Sequence, residues 1–285
     1  MTTAFLIFFA LVLEYIYDPV SNMKDTLVID SAFLKFKDYI KNYKLDKLST
    51  YIIFPIIIVI FFNIIDYFLY HYIHSFFSFL LGLVSLLYCL KPNEYNQKLE
   101  NLKFSIENNI DLDESERLNY ILFVEKNTGP TSIINNAFYN SVRTIFAVLF
   151  VFLLLGPSGC LAYVILDNYL YSEKIKIDQK SKKFIKLILS FIEYLPVRIT
   201  AFTFAVVANF QLCLNEWKSI KDHKEFYNSN INLINSIGAA SFEESNNVNE
   251  DAIIQMITYT QLMVSRSLLA WLSLIAFLII GGFFI

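Results

Sequence analysis

The chain has 285 residues, of which 56% are apolar and 17% aromatic, with a mean hydropathy of +0.49 and a net charge of −3. A water-soluble domain of this size must show water a polar exterior, and so greasy a composition argues against one. The weak net charge and the lack of a basic patch interleaved with exposed aromatics give no case for nucleic acid as a partner.

The apolar residues come in long blocks separated by lysine-rich stretches. In hydrocarbon every backbone N–H and C=O must be satisfied within the protein, so such blocks read as helices. A membrane barrel would show strands of about ten residues alternating in polarity, and no such alternation is present. The expected fold is therefore an all-α, polytopic helical membrane protein in a single membrane domain. It should hold between four and six membrane segments and polar helical inserts, with lipid as its solvent.

The first block, 3–17, lacks a basic leader and a small-residue cleavage site, so it reads as retained helix and not as a removable signal. It is short for a crossing, and Glu14 interrupts it. Residues 21–50 carry six lysines, and Phe33, Phe36, Ile40 and Tyr43 fall on one helical face. Two readings fit: an amphipathic helix lying on the membrane surface, or one packed on neighbouring helices. Blocks 51–70 and 75–90 are spans, with Pro55 tolerable near the start of the first. The short His71–His74 link makes them an antiparallel hairpin.

The insert 91–143 has a capping pattern at Asp111–Glu114 and a turn signal at Asn127–Pro130, and predicts two or three short helices. Block 145–169 carries Gly156-Pro157-Ser158-Gly159 at its middle, which predicts a kink. Six lysines fill 171–191, followed by the block 192–213 with Pro196, Arg198, Asn209 and Gln211 inside it. A polar stretch, 214–266, precedes the final span, 267–285. If every block crosses, the lysines of 171–191 lie opposite those of 21–50, 91–143 and 214–266, against the positive-inside rule. The alternative is that blocks 145–169 and 192–213 dip and return. The first of these is about 33 Å long as a helix, enough for a full crossing.

Cys89, Cys160 and Cys213 sit in or at the ends of apolar blocks and read as free, buried thiols. No metal spacing, phosphate-binding glycine loop or nucleophile–base pair is visible, so no cofactor is expected. His71 and His74, three apart, read as polar residues at the hairpin tip. Arg198 alone among the basic residues falls inside an apolar block, where a cation costs about 2.5–3.5 kcal/mol or more. It must find an acid, a wet cavity or an anion. One reading is a guanidinium that binds an anionic small molecule; the other is a structural ion pair with Glu193, Asp18 or Glu14. Glu14 and Asp18, four apart, share a helical face, and Asn209 could line a polar cavity or join helices.

Two stretches carry a family resemblance: Arg143-Thr144-Ile145-Phe146 running on to Gly156-Pro157-Ser158-Gly159, and Ile192-Glu193-Tyr194-Leu195-Pro196-Val197-Arg198-Ile199-Thr200-Ala201. Together they resemble the AmpE family of bacterial inner-membrane proteins, relatives of the CobD/CbiB membrane proteins of cobalamin biosynthesis. The order of elements is also similar along nearly the whole chain. The resemblance implies a multi-pass inner-membrane protein that modulates β-lactamase induction and the response to cell-wall stress. An amide-forming enzyme of CobD/CbiB type is the alternative. The Pro-His-Pro and Ser-Pro-Asn stretches of that branch do not occur here.

Overall fold

The computed structural model describes residues 2–17, 27–40, 47–108, 130–172, 174–220, 226–241 and 250–282. These residues are helical almost throughout, with no strand among them. The sequence pattern at Asp111–Glu114 and the acidic Asp18 lie outside them.

The helices, in chain order, are α1 (Thr2–Ile16), α2 (Leu27–Ile40), α3 (Lys47–Phe68), α4 (Ser75–Cys89), α5 (Pro92–Glu107), α6 (Pro130–Ser141), α7 (Ala147–Tyr171), α8 (Gln179–Val207), α9 (Phe210–Ser219), α10 (Phe226–Ala240) and α11 (Glu250–Ile280). Wider π-type turns follow α3, at Leu69–Ile73, and α6, at Val142–Phe146. Five stretches are long and apolar enough to cross a membrane: Leu48–Ile73, Ser75–Glu107, Asn136–Tyr171, Gln179–Val207 and Ile253–Leu278. The chain is a polytopic helical membrane protein.

The apolar part of α1, Phe5–Ile16, is shorter than a crossing, as its sequence suggested. Three boundaries elsewhere differ from the sequence reading. Helix α8 starts at Gln179, so the lysines Lys180, Lys182, Lys183 and Lys186 of the supposed insert are its opening turns. Lysine is a good helix former and its stem can lie along apolar surface while the ammonium reaches water, so a run of lysines need not end a helix. By the same logic α11 begins at Glu250 and carries Arg266 within the Ile253–Leu278 stretch. Arg143, read as lying just outside its block, is inside the Asn136–Tyr171 stretch and only 4% exposed. Arg198 is thus not alone among apolar neighbours.

The described helices group into two compact units. Unit one comprises residues 1–91 and 148–192. In it, α1 lies on α4 where Gly82 has no side chain, and a Cβ there would press on Leu6 at 3.1 Å. The expected kink in α7 is present: Gly156 has φ 70° and ψ −164°, a conformation essentially reserved for glycine. Pro157 follows it with no N–H to give to the preceding turn.

Helix α2 packs by its aromatic face. The Phe33 ring lies 5.3 Å from Tyr51, 5.5 Å from Phe54 and 4.7 Å from Tyr169, centroid to centroid, and is wholly buried. The described part of this segment packs on neighbouring helices, while Tyr43 of its expected face lies outside the described residues. Asp30, one turn earlier, is 2% exposed and accepts hydrogen bonds from Asn168 Nδ2 at 2.7 Å and Ser172 Oγ at 2.6 Å.

The α3–α4 hairpin turns on one residue. His74 alone leaves helical geometry, at φ −170° and ψ 142°, and its Nδ1 caps α4 by accepting from the Phe76 N–H at 3.1 Å. His71 stacks on Tyr67 with centroids 4.2 Å apart. Both histidines serve the turn.

Unit two comprises residues 92–147 and 193–285. Its centre is aromatic: Phe138 meets Phe204 at 5.6 Å, and Phe146 meets Trp271 at 5.5 Å. Helix α10 approaches α6 at Gly238, where any Cβ would overlap the ring of Phe138. The three cysteines are free and buried, as expected.

Candidate functional site

Polar side chains buried in a membrane bundle are costly unless partnered, so their positions mark where to look for a site. In unit two several of them lie on α8 and α6. Glu193 lies on α8 with its side chain wholly buried. Its Oε2 accepts a hydrogen bond from the Tyr139 hydroxyl at 2.6 Å, itself 1% exposed. This short O–H···O bond satisfies one oxygen of the buried carboxyl.

Tyr139 is the acid's anchor because α6 is packed too tightly to move it. Phe138 beside it is wholly buried over Gly238, and Ser141 ties its hydroxyl to the Phe138 carbonyl at 2.7 Å. One turn beyond Tyr139 the helix widens into the Val142–Phe146 π-turn, which carries Arg143. Such insertions recur at functional sites because the extra residue re-aims the side chains of that turn. Asn140, 5% exposed, completes the buried polar set on this element.

Along α8, Pro196 has no N–H for the carbonyl of Ile192, so the ladder is interrupted one residue before Glu193. Arg198 follows. It is half-buried: its Nη1 donates to Asn230 Oδ1 of α10 at 3.1 Å and to the carbonyl of Tyr194 at 3.0 Å. Its guanidinium carbon sits 3.3 Å over the Tyr194 ring, a cation–π arrangement. Asn230 is wholly buried, so α10 presents a fixed acceptor to a cation that reaches the bundle edge.

The residues expected to form a site are therefore distributed. Glu193 and Arg198 belong to unit two, on one helix, and each has a named partner on another helix of that unit. Glu14 is wholly buried on α1, in unit one. Asn209 is exposed and caps α9, its Oδ1 accepting from the Leu212 N–H at 3.2 Å. It thereby satisfies a helix N-terminus.

Tyr139, Asn140 and Asn230 were not singled out from the sequence, and Arg143 only as the start of the resembling stretch. Tyr139, Asn140 and Arg143 sit at the polar edge of an apolar block and Asn230 in an asparagine-rich stretch, where composition hides them. Their signal is burial, which only the fold supplies.

Chemically, the set offers a buried carboxyl bonded to a phenol, a buried guanidinium one turn beyond that phenol on its own element, and a second guanidinium at the edge. Guanidinium groups can hold an anion or a polar headgroup. Among the described residues no group of three or more His, Cys, Asp or Glu side chains is placed to hold a metal. No protein-family model, curated protein or solved structure matches the chain.

Proposed function

We propose that this chain is an AmpE-like regulator in a bacterial inner membrane, with the Glu193–Tyr139 pair and its neighbouring arginines as the site that senses an anionic small molecule. The observation that carries the reading is the 2.6 Å bond between Tyr139 and the wholly buried Glu193. Glu193 lies within the stretch Ile192–Ala201 on which the family resemblance rests, three residues before Pro196. A carboxyl in the greasy part of a bundle is expensive to keep, and a purely structural protein gains little by it. Arg198 and Asn230 would present the recognition edge, and the cytoplasmic helices would carry the altered state to a partner.

The test is genetic. Removing the gene should change β-lactamase induction and tolerance to wall-active antibiotics, and Tyr139→Phe should reproduce the change at normal protein abundance. An unaltered response after deletion would reject the role. The competing assignment, a CobD/CbiB-type amide-forming enzyme, would replace it if the chain complemented a strain unable to attach aminopropanol to cobyric acid.

A further inference from the structure

Helix α3 is the least covered of the five membrane-length stretches, with 11% of its apolar window buried against 33–50% in the others. Bare Ile and Phe need no explanation in lipid. Asn63 does. It is exposed, and its carboxamide has no hydrogen-bond partner among the described residues.

Asn63 is also far from either end. At 1.5 Å per residue it stands about 22 Å from Leu48 and about 15 Å from Ile73, out of reach of water for so short a side chain. The contrast with Asp66 is direct: one turn on, that carboxylate accepts from Ser78 of the hairpin's other arm at 2.6 Å. The unit satisfies the polar group it can reach and leaves Asn63 pointing out.

The neighbours of Asn63 supply a seam. Ile56, Ile60, Asn63 and Tyr67 follow one another at spacings of four, three and four, and all are exposed. That is the repeat by which two helices interlock, and a single asparagine in such a seam fixes register and partner number. A carboxamide carries both donors and an acceptor, so it complements a copy of itself across a two-fold axis. We propose that a second copy of this chain covers this face, two α3 helices crossing in parallel with Asn63 bonded to its counterpart. Hydrocarbon offers no competing partner, so the amide pair both holds and registers the contact.

The experiment uses the full chain in native membranes, with single cysteines introduced by Ile60→Cys, Tyr67→Cys or Phe62→Cys and joined by a short bifunctional thiol reagent. The native thiols are buried. A product of twice the chain mass is expected from Ile60→Cys and Tyr67→Cys and not from Phe62→Cys, which lies off the seam. In reconstituted bilayers Asn63→Leu should weaken self-association about tenfold, and Asn63→Gln, which keeps the amide, should retain most of it. A chain that stays monomeric at every density overturns the proposal. So does a crosslinked product of any other mass, equal crosslinking from all three positions, or undiminished association of Asn63→Leu.

Discussion

Asp30 in unit one and Glu193 in unit two are both buried carboxyls, 2% and 0% exposed, yet their surroundings differ in kind. Asp30 receives two neutral donors, Asn168 and Ser172, from the end of α7, where the chain leaves its membrane-length stretch. It is a clasp that fixes one helix against the finish of another. Glu193 lies well inside α8, held by a phenol, with a buried arginine one turn along the anchoring helix. Burial alone does not separate the two; the elements they join do. A carboxyl at a helix end is explained by packing, and one that ties two membrane-length stretches together invites a further role.

Substitutions at matched places test that distinction. The largest expected effect is in unit one: Phe33→Ala empties the contact among Tyr51, Phe54 and Tyr169 and should cost about 3–5 kcal/mol, read as a lowered unfolding temperature in detergent. Gly238→Ala, in unit two, forces a methyl into the ring of the wholly buried Phe138 and should cost about 3 kcal/mol by the same measurement. Tyr139→Phe strips the phenol's hydrogen bond from Glu193. It should cost about 2 kcal/mol and abolish the induction response in cells. Asp30→Asn should cost about 1.5 kcal/mol and leave that response intact. If the Asp30 variant lost the response and the Tyr139 variant kept it, the assignment of clasp and site would be reversed. Asn209→Ala removes only a cap on an exposed helix and should cost about 1 kcal/mol, with no change in response.

The membrane class, the hairpin and the kink at Gly156 were legible because each rests on local chemistry: long apolar runs, a turn too short for anything but a hairpin, and a Gly-Pro pair. Helix ends were less so, since the lysines of 180–186 resemble a loop in composition but are tolerated by a helix that starts in water. The site was half visible. Glu193 and Arg198 stand out against apolar neighbours. Tyr139 does not, because a tyrosine in a tyrosine-rich chain gives no signal until its partner, 54 residues away, is known. The tie from Asp30 to Asn168 spans 138 residues and is invisible for the same reason. Where a polar residue's partner is distant in sequence, only the fold can join them.

The one-residue turn at His74 bears on how the protein is made. With α3 and α4 joined so tightly, neither can enter a bilayer and leave the other behind, so the two must insert as a folded pair, tip first. That tip, Tyr70-His71-Tyr72-Ile73-His74-Ser75, contains no lysine or arginine. Such a tip carries no ammonium or guanidinium into hydrocarbon, whereas Lys47 and Lys91 flank the open ends. A lysine written into the tip should therefore stall biogenesis before it disturbs any finished contact.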